Sequence, residues 1–175
     1  MACDLTKGLN AAKCKDGTGG ILEAYLINFE SVSATTESDS LVSAIVMSGA
    51  SLYYTFVPNK NSSFWTQEIQ TTTESGSLGY MQSATLTFSK NQSDDISTIK
   101  LLARARTSLI IRERSDSGTR YFLLGKIDGC EISAGNFGSG TNMADRNGWE
   151  LTFTAYSPDP APQVTASIIP ALLAT

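Results

Sequence analysis

In its clearest segments this chain repeats apolar residues at every second position, and one segment changes that period. From Tyr80 to Ser89, Tyr80, Ala84, Leu86 and Phe88 fall on one side of the alternation and Ser83, Thr85, Thr87 and Ser89 on the other; only Met81 and Gln82 blur it. From Trp149 to Tyr156, Trp149, Leu151, Phe153 and Ala155 alternate with Glu150, Thr152, Thr154 and Tyr156. A period of two puts alternate side chains on opposite faces of a pleated strand, so such a chain builds sheets and buries one face of each. Further strands are predicted at 21–29 (apolar on nearly both faces), 41–47, 52–57, 67–73, 107–114 and 120–128. The exception is Ser93-Asp94-Asp95 followed by Ile96, Ile99, Leu102 and Ala103. That is helical spacing behind a capping residue, with Lys100, Arg104 and Arg106 toward the C-terminal end, and it predicts a helix over about 94–104. The expected fold is mainly β: an antiparallel sandwich or barrel of about seven or eight strands, one helix packed against it, and extended loops and arms.

Composition agrees with sheets. Apolar residues make up 41% of 175, enough for a core and for one domain over 1–175. Charged residues are only 17%, while 22 serines and 19 threonines carry the surface polarity instead. Residues 1–20, small and glycine-rich, read as an N-terminal arm. Pro158, Pro160 and Pro162 end the last strand and begin a C-terminal tail over 157–175. The polar or glycine-rich segments 31–40, 58–66 and 129–148 are expected to be flexible and, with the arm and the tail, to interlock neighbouring copies.

Several functions are excluded or disfavoured. There is no histidine, which removes Ser-His-Asp and Cys-His catalysis and histidine-ligated zinc. Cys3, Cys14 and Cys130 form no CxxC pair and read as small buried hydrophobes rather than a disulfide framework. The first residues lack a signal-peptide stretch, and no run of apolar residues is long enough to span a membrane, so synthesis in the cytoplasm is expected. A net charge of −4 offers no basic footprint for nucleic acid.

The remaining motifs have plainer readings than chemistry. The glycines from Gly135 to Gly140 form a loop rather than a phosphate cradle, and Gly125-Lys126 sits inside a predicted strand. Asp94, Asp95 and Asp145 are read as helix-capping and turn residues rather than metal ligands. Glu68 and Glu74 are read as solvated carboxylates, although such a pair is what a histidine-free glycosidase would need. Arg104, Arg106, Arg112, Arg114 and Arg120 fall within 17 positions. They are read as contacts to acidic neighbours in an assembly. Trp65 and Trp149 serve as core or interface anchors; with Tyr80 they would line the pocket of an alternative, a small-molecule or carbohydrate-binding module. No catalytic, cofactor or metal residue is assigned, no cofactor is expected, and the chain is not expected to be an enzyme.

Two stretches carry a resemblance. The opening Met1-Ala2-Cys3-Asp4-Leu5-Thr6-Lys7-Gly8, continuing to Cys14-Lys15-Asp16-Gly17 and Gly19-Gly20-Ile21, resembles the start of tail tube proteins from phages of Bacteroidetes-type hosts. The segment from Gly140-Thr141-Asn142-Met143-Ala144-Asp145-Arg146 through Asn147-Gly148-Trp149-Glu150-Leu151-Thr152-Phe153, with Ala155 and a proline-bearing tail behind it, is similar to the last strand of that family. Together they cover about a quarter of the chain. The resemblance implies a virion structural subunit whose hexameric rings stack into a hollow tube, meeting sheath, terminator or baseplate proteins at its ends. Genome DNA would pass through without specific binding. The family brings no catalytic residues. A conduit wall should be hydrated and neutral or acidic, because a basic wall would hold DNA by counterion release. The wet faces at 68–73 and 85–89 are the candidate lining.

Overall fold

A computed structural model describes residues 8–9, 18–49, 53–72, 76–90, 93–114 and 119–172. The chain is mainly β, with two mostly antiparallel sheets. The strands are β1 (Ile21–Asn28), β2 (Val32–Ser38), β3 (Leu41–Met47), β4 (Tyr54–Phe56), β5 (Phe64–Thr72), β6 (Ser77–Ser89), β7 (Thr107–Glu113), β8 (Tyr121–Leu124), β9 (Glu131–Gly138), β10 (Gly148–Ser157) and β11 (Gln163–Val164). Helix α1 spans Ser93–Leu102 and α2 spans Ile168–Leu172. The large sheet runs β2-β3-β11-β8-β7-β1-β4 and the small sheet β5-β6-β10-β9.

The core lies between the sheets. Ala24, Leu26, Leu109, Ile111 and Leu124 of the large sheet meet Ala84, Leu86, Leu151, Phe153 and Ala155 of the small one. The other face of the large sheet is buried too. Tyr25, Ile27, Ile110, Tyr121 and Leu123 form a second core closed by Val42, Val164, Ile168 and Ile169. This explains why 21–29 reads as apolar on both faces, since a strand covered on both sides loses its alternation. Gln82, which blurs the pattern of β6, is buried in the sandwich, where its Oε1 accepts the Gly125 N–H at 3.1 Å. Its cross-strand neighbour Gln67 accepts the Ala161 N–H at 2.7 Å. Both amides thus satisfy loop backbone that the sheets leave without a ladder partner.

The three strands beyond the predicted eight are β2, β9 and β11. Segment 31–40 is not flexible: β2 pairs with β3 through a two-residue turn in which Asp39 and Ser40 both have positive φ, 51° and 62°. That is what a type I′ hairpin requires, reached without the usual glycine. The glycine-rich 129–148 segment contains β9, held by β10 along its length, and Gly135 leaves Leu151 room to approach the sheet. The proline-bearing tail returns as β11, between β3 and β8, and its isoleucines enter the second core. It is therefore packed on its own chain as far as Ile169. The 58–66 loop is likewise strapped down: Asn59 N–H donates to the Thr87 carbonyl, and Ser62 and Ser63 bond to Thr87. Most of the 1–20 arm lies outside the described residues. Strand β8 is shorter than the predicted 120–128, because Gly125 turns the chain with φ 67° where a Cβ would collide with Cys130. Gly125-Lys126 thus opens a turn rather than lying within a strand.

Candidate assembly surface

The face of the small sheet turned away from the core is covered over only part of its area. Register places Phe64, Thr66, Glu68 and Gln70 of β5 beside Met81, Ser83, Thr85 and Thr87 of β6 on that face. Glu150, Thr152, Thr154 and Tyr156 of β10 continue it, followed by Glu131, Ala134 and Asn136 of β9. The charged side chains at these positions are Glu68, Glu131 and Glu150, all acidic. The candidate lining segments 68–73 and 85–89 do share this face, but not equally. Glu68 to Thr71 are exposed, whereas Thr85 and Thr87 are buried. Thr85 is shielded within a hydroxyl row, its Oγ1 3.2 Å from that of Thr152, and Thr87 lies under the 58–63 loop. Thr73 lies outside the described residues.

Among the described residues both lateral borders of the small sheet are open, since β5 and β9 each have one strand neighbour. Six of the eight β9 residues are exposed, and the only charge on the strand is at Glu131. Open borders present unpaired backbone donors and acceptors to another chain.

At one end of the sheet the β5–β6 hairpin outruns the sandwich. Ile69, Tyr80 and Leu78 keep the parity of the core-facing residues Trp65 and Ala84. This end is left open among the described residues: Ile69 is 65% exposed and Leu78 52%. The other end carries a cavity of about 200 Å³ beneath α1, with apolar walls from Phe56, Phe88, Ile99, Trp149 and Leu151 and a rim of Lys90, Asp95 and Thr98. Beside it runs a groove bearing Lys60, Lys90 and Arg146. Helix α1 packs through Ile99 and Leu102, while Ile96, expected on its buried stripe, is half exposed.

The remaining candidates are dispersed. Trp149 walls the α1 cavity and stacks on Phe137 at 5.0 Å, whereas Trp65 packs on Phe122 at 4.9 Å and donates Nε1–H to Glu113 at 2.9 Å. With Tyr80 on the hairpin, the three aromatics do not line one pocket. Glu68 stands exposed on β5, while Glu74 and the side chain of Asp94 lie outside the described residues. Asp95 is exposed in the first turn of α1. Asp145 accepts the N–H groups of Thr141 and Asn142 at 2.8 and 2.7 Å, bonds that hold its carboxyl below the ordinary carboxylate range. Among the described residues no three histidine, cysteine, aspartate or glutamate side chains gather as metal ligands do. Cys130 is buried, and burial pushes its thiol up to about 12; Cys3 and Cys14 lie outside the described residues.

Three of the five arginines meet carboxylates of their own chain. Arg112 lies 2.8 Å from Glu23, Arg120 3.5 Å from Glu113 and Arg106 3.8 Å from Glu131. Arg106 also donates twice to the Asp128 carbonyl and covers the Phe29 ring. Arg104 is exposed just past α1, and the Arg114 N–H donates to Gly20 O.

The overhanging Ile69 and Leu78 were not singled out by sequence reading, because Leu78 falls in a glycine- and serine-rich stretch that reads as a turn. The usable signal was that Leu78 shares the parity of Ala84 and Leu86. Comparison with protein-family models, with curated proteins and with solved structures finds no match for this chain.

Proposed function

We propose that this protein is the structural subunit of a phage tail tube, six copies closing into a ring and rings stacking into a hollow conduit for DNA. The observation that carries the reading is a four-stranded sheet open at both borders among the described residues, with a hydroxyl-rich face whose own strand positions carry only acidic charges, two of them met by arginines at its margin. Joining β5 of one copy to β9 of the next is a heterologous contact, which makes a ring when the rotation closes. Six such sheets would form a barrel of about twenty-four strands, and barrels of 16–18 strands already leave an aqueous channel. The resemblance of the chain's opening and of its last long strand to this family supports the same reading. The virion is then where the mature protein resides, and no catalysis is part of its role.

The alternative, a small-molecule or carbohydrate-binding module, has the α1 cavity in its favour, but Trp65 and Tyr80 stand away from that cavity. Sedimentation and negative-stain images of the purified chain decide between them. Rings or tubes are expected. Ala134→Lys, which puts a charge on the exposed β9 border, should leave the monomer folded and abolish rings, as edge lysines do in natural sheets. A wild-type chain that stays monomeric at every concentration overturns the reading.

A further inference from the structure

The two ends of the small sheet complement one another. One end presents Ile69 and Leu78, aliphatic, exposed and aligned with the core face, beside the carboxylate of Glu68. The other holds the α1 cavity, apolar inside, with Lys90 at its rim and Lys60 and Arg146 in the adjoining groove. Ten residues of β6 separate Leu78 from Phe88, about 33 Å along the strand. An apolar cavity of about 150 Å³ already accepts a benzene-sized group. The roughly 200 Å³ here suits a branched aliphatic side chain.

We propose that the β5–β6 hairpin of one copy docks end-on into a second copy, Ile69 and Leu78 seating at the α1 cavity while Glu68 faces Lys90. The occupant is a second copy because an aliphatic knob matches an apolar cavity and Glu68 is opposite in charge to Lys90, whose rim also holds Asp95, yet the two ends lie too far apart to meet within one chain. The contact is heterologous and points along the strands, so it repeats without closing and builds a filament. It is perpendicular in sense to the β5–β9 joining that would close a ring. The inference rests on the tube reading and assigns the contact between successive rings.

The full-length chain tests it through three variants and a cross-link. Ile69→Asp with Leu78→Asp alters only exposed side chains and should leave rings intact while raising the concentration needed for tube growth at least about tenfold. Glu68→Lys should weaken tubes, and adding Lys90→Glu should restore them, a rescue that a purely local role for either residue would not produce. A photo-crosslinker at position 78 should join, between chains, to peptides containing Phe88, Ile99 or Trp149. Unimpaired tubes from the double aspartate variant, or cross-links confined to other surfaces, would overturn the end-on contact and leave ring formation standing. A wild-type chain that forms neither rings nor tubes overturns both.

Discussion

At the residue scale Glu23 ties two strands of the large sheet together. Its Oε2 accepts the Tyr25 hydroxyl at 2.5 Å and Arg112 Nη1 at 2.8 Å. The Tyr25 bond and then the Arg112 guanidinium hold the carboxyl below its ordinary value, against the opposing effect of burial. Tyr25 in turn is pushed upward by burial and by the carboxylate, and it packs edge-on against Tyr53 at 5.1 Å. A carboxyl with a depressed folded-state pKa stabilises above its unfolded value and loses that contribution as pH falls through the folded one. Glu23→Gln should therefore cost about 1–3 kcal/mol at pH 7 and less below about pH 4. Urea denaturation at the two pH values measures it; an equal cost at both would remove the ion pair from the account. Tyr25 works at the other end of the scale: its raised pKa withdraws stability as pH climbs above about 10. None of this was visible in the sequence. Glu23 and Arg112 stand 89 positions apart, and only the β1–β7 register makes them neighbours.

At the element scale, strands with regular alternation could be read and strands made by their partners could not. β3 matches its predicted span, and β6 and β10 differ from theirs by three residues or fewer at either end. Each carries enough aliphatic or aromatic residues on its core side to be recognised without knowing its neighbours. β2 and β9 carry mostly serine, threonine, glycine and asparagine, and exist because β3 and β10 supply a ladder. The β2–β3 turn is the clearest instance. Asp39 and Ser40 hold a left-handed conformation that glycine adopts without cost, whereas an L residue there costs about 1–2 kcal/mol. Ser40→Gly should raise stability by about 1 kcal/mol, read as a higher urea midpoint at unchanged slope. A lower midpoint would mean that the Ser40 side chain is needed for the turn. Helix α1 was legible for its spacing, but its exposed Ile96 and Leu101 were not, since period alone does not say how much of a stripe the sandwich can cover.

At the scale of the whole molecule, charge is the quantity that sequence conveyed well. In the proposed six-copy ring the chain's net −4 would become roughly −24, a field that would keep a polyanion from settling on the wall. Assembled tubes are expected not to retain duplex DNA in filter-binding assays at moderate salt. Thr66→Lys with Thr154→Lys places two cations per copy on the hydroxyl face and should create binding that falls steeply as salt rises. Salt-sensitive binding by the unaltered tube would count against a neutral or acidic bore. What the sequence did not convey was where the arginines go. Their clustering within 17 positions suggested partners outside the chain, yet Arg106, Arg112 and Arg120 find carboxylates within it, on β9, β1 and β7.

The position of β11 bears on when the fold can form. Two residues near the end of the chain join β3, begun at Leu41, to β8, which ends at Leu124. Until Gln163 and Val164 leave the ribosome, the β2–β3 hairpin has no seat in the large sheet, and the second core lacks the isoleucines that close it. A nascent chain is thus committed to sequences far apart in time, the slow kind of closure that high contact order imposes. The hairpin and the second core therefore close only after every other strand of the large sheet has been made.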